Sequence, residues 1–188
     1  MKIIFCLEAV SLIISLAKSK IVISIGGRVS LYCSRAFNAL FNSDEELVEF
    51  TKRHNTHKLD ETDISTYSGN AYLGIDAGST TTKLVLLSED NKILYYYYSH
   101  NKGTPVDIVN KALKEMYQLK NDQTIIKSAY STGYGEELIK HAYNLDGSEV
   151  ETICHYKAAS YFNPDVDFII DIGGQDMKCF KIVWLSIK

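Results

Sequence analysis

Tyr72-Leu-Gly-Ile-Asp-Ala-Gly-Ser-Thr-Thr-Thr-Lys-Leu-Val-Leu-Leu87 sets an acid and a small, hydroxyl-rich turn between two apolar runs. Leu73 and Ile75 fit a buried strand ending at Asp76, Gly78 permits a close turn, and Leu84 to Leu87 form a second strand. Such a turn aims successive backbone N–H groups and hydroxyls at one anion, and Lys83 adds a cation. The Asp76 carboxylate suits a hydrated magnesium ion, which takes one or two carboxylates together with phosphate oxygens. An ordinary hairpin with polar turn residues is the competing reading of this stretch taken alone.

The pattern recurs downstream. Val166 to Ile170 reads as a strand that delivers Asp171-Ile-Gly-Gly-Gln-Asp176, followed by a strand from Met177 to Val183. Two strand-Asp-turn units suggest that Asp76 and Asp171 face each other across a cleft, on either side of a magnesium ion and a phosphate chain. Neither turn is a P-loop or a GxGxxG dinucleotide turn, because the chain contains neither spacing.

Between these units the chain alternates strand and helix signals. Ile93 to Tyr98 is a strand with four consecutive tyrosines, whose side chains alternate between its faces, so sheet packing explains them better than base stacking. Thr104 and Pro105 supply a cap and first turn for a helix through Leu119. Ile125 to Ser131 is a strand running into Ser131-Thr-Gly-Tyr-Gly135 and a helix through Tyr143, which either points backbone amides around Gly133 toward a ligand at the carboxyl edge of a sheet or is simple turn chemistry, two readings of equal weight. Residues 151–162 read as a short connection leading into a helix with His155 and Ala159 on one face, and Pro164 ends it.

On the other side of the opening stretch, residues 21–27 read as a strand ending in Gly26-Gly27, and residues 29–41 as a helix. Ser43 and Glu46 form a capping box for a short helix to about Phe50. Thr51 to Asn70 is polar, without apolar period, and reads as a linker; His54 and His57 lack a spaced third ligand there and read as solvated loop histidines. Residues 1–17 are apolar but interrupted by Glu8, which favours a buried amphipathic helix over a signal peptide or a membrane span.

Composition narrows the class. The 188 residues are 46% hydrophobic and 23% charged, as expected of a globular chain with a real core. A net charge of -3 leaves no basic surplus for general nucleic-acid binding. Cys6, Cys33, Cys154 and Cys179 form no CxxC pair, so spacing indicates neither a zinc site nor a disulfide framework and suggests reduced, cytoplasmic thiols.

The conjunction of Gly74-Ile-Asp-Ala-Gly-Ser-Thr-Thr-Thr-Lys83, Ser131-Thr-Gly-Tyr-Gly135, His155 with Ala158 and Ala159, and Asp171-Ile-Gly-Gly-Gln-Asp176 resembles the ATPase activators of 2-hydroxyacyl-CoA dehydratases and the ATPase subunits of benzoyl-CoA reductase. The resemblance covers about residues 71–183. It implies an α/β, ribonuclease-H-like first lobe of an actin/Hsp70-type ATPase, binding ATP or ADP with magnesium. Hydrolysis in such proteins drives one low-potential electron from a [4Fe-4S] cluster to a partner dehydratase or reductase. Carried onto this chain, Gly78, Ser79, Thr80, Thr81 and Lys83 hold phosphates, with Gly133 on the adjoining turn. Asp76 and Asp171 position magnesium, directly or through water. Gly173 and Gly174 form the second phosphate turn, and Gln175 lies near the γ-phosphate or the attacking water. Placement and charge neutralisation are what phosphoryl transfer requires.

Departures accompany the likeness. The cluster cysteines of the family follow the Asp171–Asp176 turn, and Cys154 and Cys179 do not occupy their positions, so no iron-sulfur ligand is assigned. Residues 1–50 resemble the end of a preceding module, 51–70 a linker and 71–188 a truncated first lobe. A fragment spanning two modules is therefore expected, with a homodimer reserved for the full-length protein and neither nucleic acid nor membrane as partner. A sugar or N-acetylglucosamine kinase of the same superfamily and an inactive truncated fragment are the alternatives.

Overall fold

The computed structural model describes residues 41–55, 59–172 and 177–183. The expected strand and helix of residues 21–41 lie, apart from Phe41, outside the described residues, as do Gly173, Gly174, Gln175 and Asp176. The chain divides into two compact units, and helix α1 (Asp44–Asn55) belongs to the one formed by Ser15–Lys58. Ser43 Oγ accepts from the Glu46 N–H at 3.3 Å, as a capping box requires. The Glu46 carboxylate turns instead to the backbone N–H of Asn42 at 2.7 Å. The helix runs past Phe50 through the first five residues expected to be linker, with acids in its first turn and Lys52, Arg53 and His54 in its last, each sign matched to the helix dipole. His54 lies on this helix, its Nδ1 2.8 Å from the Phe50 carbonyl, and His57 is outside the described residues.

From Leu59 onward the second unit is built on a five-stranded sheet. Its strands are β1 (Gly69–Ala77), β2 (Thr81–Ser88), β3 (Ile93–His100), β4 (Thr124–Thr132) and β5 (Gly147–Ser148). Their order is β3-β2-β1-β4-β5, antiparallel across β3, β2 and β1 and parallel across β1, β4 and β5. This is the α/β topology expected from the sequence. Residues 73–77 of β1 are all buried, as a central strand covered on both faces must be.

Helices α2 (Pro105–Leu119) and α3 (Glu136–Tyr143) pack on one face. Val109, Ala112 and Met116 of α2 and Ile139 of α3 close a core with Leu73, Ile75, Ala77, Leu84 and Leu86. Met116 is fully buried there, so Met116→Ala is expected to lower unfolding stability by about 2–5 kcal/mol, read as a shifted urea midpoint. Thr104 precedes α2 but makes no side-chain cap; its hydroxyl donates to the Asn101 carbonyl at 3.3 Å. The tyrosines of β3 alternate as expected. Tyr95 and Tyr97 join this core, Tyr98 packs with Val85, Leu87 and Ile93 on the opposite face, and Tyr96 is exposed.

Helix α4 (Glu151–Phe162) is helical from Glu151, so the expected connection is already its first turn. Strands β6 (Phe168–Ile172) and β7 (Met177–Lys181) pair as an antiparallel hairpin. Asp171 thus lies within its strand, opposite Lys178, rather than after it. One hairpin face presents Phe168, Ile170, Ile172 and Met177 to solvent, and alternation puts Asp171 and Lys178 on the other. Among the described residues no helix is long and apolar enough to cross a membrane.

Candidate functional site

Four chain segments converge at the carboxyl ends of β1 and β4. Asp76 is placed by register, opposite Lys83 in the antiparallel pair and beside Thr132 in the parallel one. Paired residues share a face, so Asp76, Lys83 and Thr132 point away from the α2 and α3 side. The Asp76 side chain is 1% exposed; its Oδ2 accepts from Lys83 Nζ at 2.6 Å, and its Oδ1 has no hydrogen-bond partner. Burial pushes the Asp76 carboxyl above the ordinary aspartate value. Lys83 opposes that rise, Glu151 adds to it and His155 works against it.

The turn between β1 and β2 is closed by the Gly78 N–H donating to the Thr81 carbonyl at 2.9 Å, which leaves Ser79 and Thr80 at its tip. Buried Asn101, at the end of β3, clamps it from outside. Its Nδ2 donates to the Gly78 carbonyl at 2.6 Å, and its backbone N–H donates to the Thr80 carbonyl at 3.0 Å. Thr80 Oγ1 is buried without a hydrogen-bond partner, as is Thr82 Oγ1, but Thr82 pairs with Ala77 and so belongs to the core face. Buried polar groups are nearly always satisfied. Asp76 Oδ1 and Thr80 Oγ1, at the end of β1 and the tip of its turn, are therefore groups that a cation and an anion would satisfy.

Beyond β4 the chain turns through Gly133, Tyr134 and Gly135. Gly133 has φ +88°, and a Cβ there would lie 2.5 Å from Asp76 Oδ1 and 3.0 Å from the Ala77 carbonyl carbon and oxygen. The Gly135 N–H donates to the Ala77 carbonyl at 2.8 Å. The turn thus lies directly on the end of β1, with Tyr134 exposed. Gly133 is placed where the backbone passes the Asp76 carboxylate.

From here the Thr132 hydroxyl donates to the Glu149 carbonyl at 2.7 Å, and buried Cys154 Sγ lies 3.5 Å from that hydroxyl, which docks the start of α4 on the end of β4. Glu151 and His155, one helical turn apart, share a face of α4. His155 Nδ1 is 3.2 Å from Asp171 Oδ2. Lys178 Nζ is 2.9 Å from Glu151 Oε2 and 4.0 Å from Asp171 Oδ2. The charges of Glu151 and His155 act on Asp76, and His155 adjoins Asp171 directly.

Reading the sequence brought forward Asp76, Asp171, Lys83 and the turn residues but not Asn101, Glu151 or Lys178. The one local signal for Glu151 was its spacing of four from His155 in a helix. Nothing local marks Asn101, whose partner is Gly78 on another loop. Of the described cysteines, Cys154 is buried against Thr132 and Cys179 is exposed on β7, so these two do not fit a shared iron-sulfur cluster, and no step is derived through one.

Residues 73–183 match the sequence pattern of the BadF/BadG/BcrA/BcrD ATPase family. An uncharacterized protein of Methanocaldococcus jannaschii is 43% identical over 112 residues, 58% of this chain and 42% of that protein. The (R)-2-hydroxyglutaryl-CoA dehydratase activating ATPase of Acidaminococcus fermentans is 32% identical over 113 residues, 58% of this chain and 42% of its own length. The crystal structure of component A of that dehydratase, from the same organism, superposes with a TM-score of 0.51 at 30% identity, covering 61% of this chain and 44% of that one. The chain thus spans about two fifths of the length of the curated relatives it matches.

Proposed function

The chain belongs to the BadF/BadG/BcrA/BcrD ATPase family, and we propose that its β1–β2 turn and the end of β6 bind ATP with magnesium in an activator of a CoA-substrate dehydratase or reductase. The observation that carries this reading is the unpaired, buried Oδ1 of Asp76 beside a clamped hydroxyl turn. Asp76 and Asp171 would hold magnesium, directly or through water, and the metal would neutralise phosphate charge.

The chain's own residues have the following parts. Ser79, Thr80 and Thr81 present hydroxyls and backbone at the turn, and Asn101 holds that turn in shape before any ligand arrives. Lys83, 20% exposed and paired with Asp76, would supply a cation for phosphate oxygens. Gly133 leaves room for the Asp76 carboxylate. Gly173, Gly174 and Gln175 are proposed for the second phosphate turn and for the attacking water. The relatives named as dehydratase activators support a dehydratase partner, and the coupling of hydrolysis to low-potential electron delivery is part of the same proposal.

Titration calorimetry of the full 188-residue chain with ATP tests the reading, with and without magnesium. The expected result is a binding isotherm that requires the metal. Heat that is absent, or unchanged on chelating magnesium, overturns it.

A further inference from the structure

Among the described residues one group of three metal-ligating side chains stands together, Glu151, His155 and Asp171, each offering an atom within 4.8 Å of the others. It is assembled from two elements. Glu151 and His155 come from one face of α4, and Asp171 comes from β6 on the side of the hairpin opposite its exposed apolar face. His155 and Asp171 are largely shielded, at 9% and 19% side-chain exposure, so this is not a solvated acidic patch.

A second observation, on a different strand, also points to a missing cation. Asp76 is buried, keeps an unpaired Oδ1, and lies within the electrostatic reach of both Glu151 and His155. Two carboxylates, Glu151 and Asp171, are gathered about Lys178. Lys83 is committed to Asp76, and Lys178 lies nearer Glu151 than Asp171. Lys178 and Glu151 are each about one-third exposed, so the ammonium has a solvated route away from the cluster.

We propose that Glu151, His155 and Asp171 form a site for a first-row divalent transition-metal cation, for which Lys178 is the internal competitor. The donor set decides the class. Magnesium takes oxygen ligands and gives up water reluctantly, whereas an imidazole nitrogen beside two carboxylates suits the transition metals. Its ligands share only Asp171 with the nucleotide reading, although the unpaired Asp76 Oδ1 bears on both, and the site does not require ATP.

Mn2+ is the probe, because its free-ion electron paramagnetic resonance signal disappears on binding and it is too hard for the exposed Cys179 thiol to compete. In the nucleotide-free full chain, one Mn2+ per chain is expected, bound at least about tenfold more tightly than Mg2+ in competition. His155→Ala should weaken Mn2+ by about tenfold or more while leaving Mg2+ competition at other sites unchanged. Lys178→Met keeps every ligand, removes the competing ammonium and should tighten Mn2+, a gain that no merely structural role predicts. Circular dichroism verifies that each variant is folded, and Lys178→Met remains a separate test of the site if His155→Ala unfolds.

No stoichiometric Mn2+ binding, equal affinity for Mn2+ and Mg2+, or unchanged Mn2+ affinity in folded His155→Ala overturns the site. So does weaker Mn2+ binding in Lys178→Met. Magnesium-dependent ATP binding without nucleotide-free Mn2+ binding defeats this inference alone; Mn2+ binding without ATP binding defeats the nucleotide reading alone.

Discussion

Asp76→Asn is expected to lower magnesium-dependent ATP affinity by about 100-fold while leaving the fold intact, with a thermal midpoint within about 4 °C of the parent's or above it. The functional loss follows from the proposed role: an amide is a poor ligand for a hard cation and carries no charge to offset it. The structural tolerance follows from burial, which pushes the Asp76 carboxyl up even against Lys83. Lys83 is 20% exposed, so the substitution does not strand its ammonium in the core. The pH dependence has a definite sign. A carboxyl whose folded pKa is raised binds its proton more firmly in the native state. Between the ordinary value of 3.8 and the folded value, its contribution therefore destabilises the fold progressively as pH rises. Asp76→Asn should remove that component of the slope. Urea melts across this window test the stability half and calorimetry the binding half. A variant that unfolds, or one that binds magnesium-ATP like the parent, defeats the assignment.

The second large effect is expected at Gly133. Gly133→Ala should cost about 2–4 kcal/mol of unfolding stability, from a left-handed backbone and a Cβ driven into neighbouring backbone. The geometry leaves little escape, since the Ala77 carbonyl carbon and oxygen each lie 3.0 Å from that Cβ and belong to the central strand. The nearest atom, Asp76 Oδ1 at 2.5 Å, must move as well. The same substitution should therefore weaken magnesium-ATP binding. Gly103→Ala is the control: Gly103 has φ +82° but no atom within 4 Å of the added Cβ, so it carries the backbone penalty alone. Equal stability losses at the two positions would show that contact with Asp76 and Ala77 contributes nothing.

Much of this arrangement was legible along the chain. Periodicity and turn chemistry located β3, α2, β4 and α3 to within about two residues and the centres of β1 and β2, whose first residues, Gly69 and Thr81, lie at least three positions ahead of the apolar runs that mark them. Legibility failed where local pattern is weak. Thr51 to Asn55 extend α1 although they are polar, since Ser43 caps the helix and its charges match the dipole at both ends. Residues 151–154 join α4 because Cys154 docks on Thr132, a contact between segments that spacing does not reveal. Asp171 falls inside β6 because pairing with Lys178 carries the hairpin past it.

Tyr72 to Leu87 by itself determined a strand, an acid at the strand's end and a close, hydroxyl-rich turn into a second strand, all consequences of short-range sterics and alternation. Only the tertiary structure decided what surrounds that acid. Parallel pairing of β1 with β4 brings Gly133 against Asp76, Asn101 reaches back to Gly78, and α4 carries Glu151 and His155 to Asp171. Those contacts join segments far apart in the chain, and their register is set by which faces the core buries, a property of the packed sheet and not of any one stretch.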